Sequence, residues 1–279
     1  MTASQIESHN DIISCMKAVA IMAMVLGHAC VHTPVDSVVN LFHMPLFFFV
    51  SGYCFKEKYL NDARTFLQRK LKGIYWPYLK WSIFFLLLHN VFCYLHIHNI
   101  NDAWTGYYTL TEYKGRLFNI VTRMQAQDYP LLGGYWFLKT LLWTNILAYL
   151  WLRLTRRWRY NDLIGIGVAL MLTIVDDITQ YSVSFFNIQS HEYAAIALFL
   201  AGHAFRQYNL RPLSICECVI VLCIFVAGYF YWSTAMFLPF FDNTIIVPYL
   251  ISAVLVIWLI YSAFYKLQRI SILHASWGG

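Results

Sequence analysis

The stretch KAVAIMAMVLGH, residues 17–28, is a run of apolar side chains with a cation at one end and an imidazole at the other. It belongs to an apolar segment, about residues 13–32, that is long enough to cross a bilayer as a helix. In such a helix Lys17 and His28 lie on nearly the same face, roughly 16 Å apart along the axis. Ionisable groups in a membrane span are costly and usually face the bundle interior or a wet cavity. The stretch therefore predicts a membrane-spanning first helix with one polar stripe.

The composition of the whole chain supports a membrane protein. Of its 279 residues, 59% are hydrophobic and only 12% are charged, whereas a soluble domain carries about 25% charged residues. The net charge of +6 does not indicate nucleic acid, because the cations sit in short clusters between apolar runs. The seven cysteines do not have the spacing of a zinc ligand set, so we expect no metal.

The apolar runs predict an all-α fold, a polytopic bundle of about eight transmembrane helices that forms a single membrane-embedded domain over residues 1–279. The predicted spans are 13–32, 38–55, 76–96, 131–152, 162–178, 191–206, 213–233 and 245–265. The connections between them alternate in charge: 56–75 is rich in Lys and Arg, whereas 33–37, 179–190 and 234–244 contain neither. This positive-inside pattern predicts a cytoplasmic N-terminus and an outer loop over 97–130. We expect the protein in the inner (plasma) membrane.

Two further segments have distinctive patterns. RTFLQRKLKGIYWPYL, residues 64–79, has apolar residues at helical spacing with cations between them, which predicts a helix along the cytoplasmic interface. The second span contains LFHMPLFFFVSGY, residues 41–53, in which Pro45 loosens the helix and Gly52 permits close packing. Lys17 and His28 of the first span also have a purely structural interpretation. In it, Lys17 extends its ammonium to the lipid headgroups, and His28 packs against other helices or lies at the outer interface.

These segments together resemble the integral-membrane acyltransferase-3 family. The resemblance is carried by the Lys-x10-His element of the first span, FHMPLFFFVSGY, FLQRKLKGIYWPYL and YWFLKTLL, and more weakly by FLAGHAFR. Members of this family transfer acyl groups, most often acetyl, to sugars of surface polysaccharides and related glycans. They usually have ten spans, so the resemblance implies a member that is short at its C-terminus.

The resemblance implies a role for four residues. His28 matches the essential catalytic residue, while Lys17, Arg69 and Lys72 match the cations that hold the acyl donor, an acyl-CoA such as acetyl-CoA. The acceptor is a glycan or a lipid-linked sugar, and the other partner is the lipid bilayer. A neutral imidazole is suited to accept the proton of a sugar hydroxyl during transfer, and cationic side chains suit the phosphates of coenzyme A.

Five other residues are weaker candidates for substrate binding: His43, Ser51, Tyr53, Trp136 and Lys139. For Lys139 the alternative is a snorkelling or interhelical contact. We expect His203 to contact headgroups, and His191 and Glu192 to be solvated loop ends.

Two other functions fit parts of the pattern. A transporter of a small solute or of the glycan would use His28, His43 and Lys139 as a polar pathway, but it predicts structural repeats that the sequence does not show. An inactive scaffold within a polysaccharide-assembly complex is the second alternative.

Overall fold

The computed structural model describes residues 3–29, 34–97, 106–126, 130–179, 188, 190–231 and 246–277. Within these residues every regular element is helical, which confirms the predicted all-α class. The α-helices are α1 Ala3–Ala29, α2 Pro34–Tyr53, α3 Ala63–Lys70, α4 Trp76–Tyr94, α5 Leu110–Arg123, α6 Trp136–Leu154, α7 Asn161–Thr179, α8 Ser190–Gln207, α9 Ile215–Tyr231 and α10 Ile246–Trp277. A π-helical turn, Leu71–Tyr75, joins α3 to α4, and 3-10 turns cover Glu57–Asn61 and Pro130–Tyr135.

Each of the eight predicted spans coincides with one long helix: α1, α2, α4, α6, α7, α8, α9 or α10. Within the described residues, the stretches Asp11–Ala29 and Tyr249–Gln268 are long and apolar enough to cross a membrane, and Val38–Tyr53 and Ile215–Val226 are shorter apolar helices. Many large apolar side chains on α4, α7 and α9 are exposed, for example Leu87, Met171 and Ile220. Helix faces of this kind suit contact with lipid.

Helix α8 lies at the centre of the fold. Nearly all of its residues from 194 to 205 are buried, and it packs on α2, α6 and α7. The contact with α2 is very close, because a Cβ atom added at Gly52 would lie 1.8 Å from the backbone oxygen of Phe199, and one at Gly202 would lie 1.9 Å from that of Phe49. Small residues at a helix interface permit this backbone approach.

The segment from 63 to 78 packs side by side with α6 and runs in the opposite direction. The Phe66 ring stacks on the Tyr149 ring at 4.4 Å, and the Tyr78 ring lies 5.8 Å from the Tyr135 ring. The expectation that residues 64–79 lie flat along the cytoplasmic interface is therefore wrong. Pro77 lies in the first turn of α4, where a proline fits a helix. The backbone is helical from α3 through the π turn into α4, so the chain has no break at Pro77.

The predicted outer loop 97–130 contains helix α5. Thr109 and Glu112 form a reciprocal capping box at its start, and Met124 ends it in the left-handed conformation. The helix runs antiparallel to α4: Asn90 exchanges two hydrogen bonds with the backbone of Tyr108 near one end, and the Tyr75 hydroxyl donates to the backbone oxygen of Val121 at the other. Helices α4 and α5 therefore form a hairpin.

Candidate functional site

A cleft of about 550 Å³ opens where α1, α2, α3 and α6 converge. Its wall combines three cations with aromatic and aliphatic side chains. The lining residues are Lys17, Ile21, Phe47, Val50, Ser51, Cys54, Phe55, Tyr59, Phe66, Arg69, Lys70, Gly73, Ile74, Phe137 and Leu141. We call this the basic cleft.

The basic cleft brings together Lys17 and Arg69, which are far apart in sequence and were both predicted as donor-binding residues. Lys17 projects from α1 and is exposed. Arg69 projects from α3, where its Nη1 donates to the hydroxyl of Tyr59 at 3.0 Å. Arginine in this position is held in a fixed orientation and keeps further N–H groups free to bind an anion.

The third cation of the cleft is Lys70, which the sequence analysis did not select. Its ammonium lies over the Phe66 ring at 5.7 Å from the centroid, and burial lowers its pKa to about 8. Lys72, predicted as the partner of Arg69, is exposed and is not part of the cleft wall. Gly73, the next residue along the chain, lines the cleft instead.

The floor of the basic cleft is the turn from 54 to 61, which α8 holds in place. The ring of His203 lies 2.8 Å from a carboxylate oxygen of Glu57 on one side and 2.8 Å from one of Asp162 on the other. Arg206 donates to the backbone oxygens of Tyr53 and Phe55 at 3.1 Å and 3.0 Å. Because its ring is only 5% exposed, His203 is an internal connector and not the headgroup contact that we expected.

The hydrogen bond with His203 also lowers the pKa of the Glu57 carboxyl, so that Glu57 is an anion at neutral pH. The ring of Phe55, a cleft residue, packs edge-on against His203 at 5.6 Å. A substitution of His203 therefore alters the packing of Phe55 in the cleft floor directly.

Ser51 is the one weaker candidate that lines the basic cleft. Its hydroxyl donates to the side-chain oxygen of Asn145 at 3.1 Å, and Asn145 in turn donates to the backbone oxygen of Leu141. The hydroxyl is therefore oriented by α6, and its lone pairs remain able to accept a hydrogen bond from a ligand.

His28 lies on the same continuous helix as Lys17 and on the same face, as predicted. The basic cleft follows this face only as far as Ile21, and His28 lies about 10 Å further along the axis. His28 is exposed, so the expectation that the ring is buried in the bundle interior is wrong.

The candidates His43, Tyr53 and Trp136 lie outside the cleft wall. The His43 ring donates to the backbone oxygen of Val39, one turn earlier, at 2.8 Å. The Tyr53 ring is 4% exposed and packs against Phe205 and Tyr261 in the core, which leaves no free face for a sugar.

Trp136 meets the ring of His191 edge-on, next to a buried ionic cluster between α6 and α8. In this cluster the Glu192 carboxylate is 3.4 Å from the Lys139 ammonium and 3.1 Å from the ring of His191, and it accepts a hydrogen bond from Thr140. The expectation that His191 and Glu192 are solvated loop ends is wrong, because both are buried. For Lys139 the interhelical contact is the arrangement observed.

The basic cleft has the chemistry of a site for a long anionic ligand with an apolar or weakly polar arm. Three cations stand on two sides of it, and the rest of the wall is mostly aromatic and aliphatic. A lysine ammonium binds phosphate as a point charge, whereas an arginine guanidinium binds it through two parallel hydrogen bonds.

Comparison with known proteins identifies the class of chain. A family model described as an acyltransferase domain matches residues 10–276. Neither the search of curated proteins nor the search of solved structures gave a match.

Proposed function

The chain belongs to the acyltransferase-3 family, and from this we propose that it moves an acyl group from acyl-CoA to a hydroxyl of a surface polysaccharide or related glycan. The acyl group is acetyl, the commonest in the family that the sequence resembles. The enzyme is a multi-pass protein of the inner membrane with eight spans, and its N-terminus is cytoplasmic. The alternation of basic and non-basic connections supports this orientation.

The donor docks in the basic cleft, which opens toward the cytoplasmic side in this orientation. Lys17, Arg69 and Lys70 hold the phosphates of coenzyme A, and the aromatic wall receives the pantetheine arm. Charge-assisted hydrogen bonds of this kind are about twice as strong as neutral ones. The single observation that carries the proposal is the meeting of Lys17 and Arg69, on separate helices, in one cleft.

His28 acts as the base. It stands on the cleft-lining face of α1, about 10 Å beyond Ile21, so the acyl end of the donor extends past the cleft to meet the acceptor there. The neutral imidazole accepts the proton of the sugar hydroxyl as that oxygen bonds to the acyl carbon and the carbon–sulfur bond of the thioester breaks. The thiolate takes up this proton from the imidazolium and leaves as coenzyme A, which returns His28 to the neutral form. Positioned proton transfer typically contributes about 10²–10⁴-fold to the rate.

The test uses purified protein in proteoliposomes with labelled acetyl-CoA and a base-deacetylated surface glycan as acceptor. Wild-type protein transfers label to the glycan, and His28→Ala reduces transfer by about 10²-fold or more. His96→Asn is the matched control, because His96 is an exposed histidine away from the cleft. Transfer by His28→Ala at the wild-type rate and normal abundance contradicts the assignment of the base.

The same assay separates the enzyme from the two alternatives. A transporter or a scaffold forms no acetyl ester in this purified system. Absence of transfer by wild-type protein with every surface glycan tested contradicts the proposed enzyme as a whole.

A further inference from the structure

A second cavity, of about 350 Å³, lies within the hairpin of α4 and α5 and away from the basic cleft. Its volume is at the lower end of the range of about 300–1,000 Å³ that is typical of small-ligand sites. The residues around it are Ser82, Leu86, Glu112, Gly115, Arg116, Asn119, Ile120, Gln125, Ala126 and Leu132. We call this the hairpin pocket.

Ser82 provides an unsatisfied group in the wall of this pocket. The residue has no exposed surface, and within the described part of the chain its hydroxyl has no hydrogen-bond partner. A buried hydroxyl without a partner costs free energy, and in native proteins nearly all such groups are paired with protein, water or ligand. The unpaired Ser82 hydroxyl therefore favours a polar guest in the hairpin pocket.

The polar side chains around the pocket suit a polyhydroxylated guest. Asn119 and Gln125 each offer an amide donor and a carbonyl acceptor, and Glu112 offers carboxylate acceptors. The Glu112 carboxylate is anchored, because one of its oxygens accepts hydrogen bonds from the backbone N–H and the hydroxyl of Thr109. Arg116 is also held in place, with its guanidinium 4.2 Å from the centre of the Tyr108 ring.

Gly115 is an exposed residue of the pocket wall. A Cβ atom at this position would meet no atom within 4 Å, so the absence of a side chain leaves usable space. Apolar residues such as Leu86, Ile120 and Leu132 complete the wall. Mixed hydrogen-bonding groups beside small apolar patches match a sugar ring, which presents hydroxyls at its edge and C–H groups on its faces.

An apolar cluster lies between the hairpin pocket and the basic cleft. Ile74 lines the basic cleft and belongs to the same apolar cluster as Ile120 and Leu132, which line the hairpin pocket. In the proposed orientation the connection 97–130 lies on the outer side, where a surface glycan is found.

We propose that the hairpin pocket binds one sugar residue of the acceptor glycan and so determines which glycan is acylated. This inference rests on the proposed function. It assigns acceptor recognition to Ser82, Glu112, Arg116, Asn119 and Gln125, which lie apart from the proposed base.

To test this proposal, a substitution fills the hairpin pocket and keeps helix α5 intact. Gly115→Leu places a side chain in the open space and replaces glycine by a better helix former. Lys114→Leu is the matched control, because Lys114 is an exposed neighbour outside the pocket wall. Saturation-transfer NMR with glucose, galactose and N-acetylglucosamine as probes measures sugar binding to purified protein in detergent.

We expect saturation transfer from the wild type and from Lys114→Leu to at least one of these sugars, and a loss of at least tenfold in Gly115→Leu. Equal signals from Gly115→Leu and wild type, or no signal from the wild type with all three probes, overturn the proposal. Coenzyme A binding is measured on the same samples. Sugar binding that is lost while coenzyme A still binds assigns the pocket to the acceptor, and loss of both in Gly115→Leu counts against it.

The failure of this inference is distinguishable from failure of the proposed function. If the protein transfers acetyl groups but Asn119→Ala and Gln125→Ala leave the KM for the glycan unchanged, the pocket assignment is wrong and the enzyme assignment stands. If the sugar binds in the pocket but no transfer occurs, the enzyme assignment is wrong. We expect a tenfold or greater rise in the glycan KM for these variants, with the KM for acetyl-CoA unchanged.

Discussion

Neutralising one cation of the basic cleft should weaken binding of the donor by a predictable amount. Lys17 and Arg69 reach the cleft from different helices, so Lys17→Gln and Arg69→Gln each remove one phosphate contact and leave the other in place. A hydrogen bond to a charged group contributes about 1.5–3 kcal/mol, and about 1.4 kcal/mol corresponds to a tenfold change in affinity. We therefore expect the Kd for coenzyme A to rise by about 10- to 150-fold in each variant.

Isothermal titration of purified protein with coenzyme A measures this change. Lys72→Gln is the matched control, since it removes an equal charge from an exposed position outside the cleft wall, and it should change Kd by no more than about twofold. Pantetheine, which has no phosphate, should bind wild type and variants alike. Wild-type affinity in both cleft variants, or an equal loss in Lys72→Gln, refutes the assignment of the donor site.

Three further outcomes follow from the packing and the charges. Gly52→Ala places a methyl group against the backbone oxygen of Phe199 on α8, closer than a real Cβ contact allows, so the two helices must move apart and unfolding should become easier by about 1–3 kcal/mol; Gly167→Ala, which meets no atom within 4 Å, should leave the thermal midpoint unchanged or higher. Glu192→Gln removes the carboxylate that lies 3.4 Å from the buried ammonium of Lys139 and should destabilise the protein by about 3–5 kcal/mol, whereas a thermal midpoint near that of wild type would contradict the pairing. Because burial lowers the pKa of Lys70 to about 8, its charge and its share of the affinity for coenzyme A are present below this pH and lost above it; Lys70→Arg should keep that share at pH 9, and an identical pH profile for both proteins argues against Lys70 as a ligand.

The sequence predicted the helical class and the position of every long helix, because apolar runs of span length and their polar connections are local features. It also placed Lys17 and His28 on one face of α1, since helical periodicity fixes this relation. The prediction of Arg69 in the donor site came from the family resemblance, and the structure places it in one cleft with Lys17.

The errors concern relations between elements. The path of residues 64–79 along α6 depends on tertiary contacts such as Phe66 with Tyr149, which amphipathic spacing cannot distinguish from binding at an interface. His203 was misassigned because its two carboxylate partners lie 146 and 41 residues away in sequence. Lys70 was missed because every cation in the cluster 69–72 has the same local pattern, and only the packing of α3 shows which of them enters the cleft.

The central claim is that the acyl donor occupies the basic cleft, and Cys54 reports on it directly. Cys54 lines this cleft, and both Cys54 and Cys216 are free, exposed thiols. Peptide mapping by mass spectrometry measures the rate at which a maleimide modifies each cysteine with and without coenzyme A. The account predicts that saturating coenzyme A slows modification of Cys54 at least tenfold and leaves the rate at Cys216 unchanged. An unchanged rate at Cys54, under conditions in which coenzyme A is bound, would contradict it.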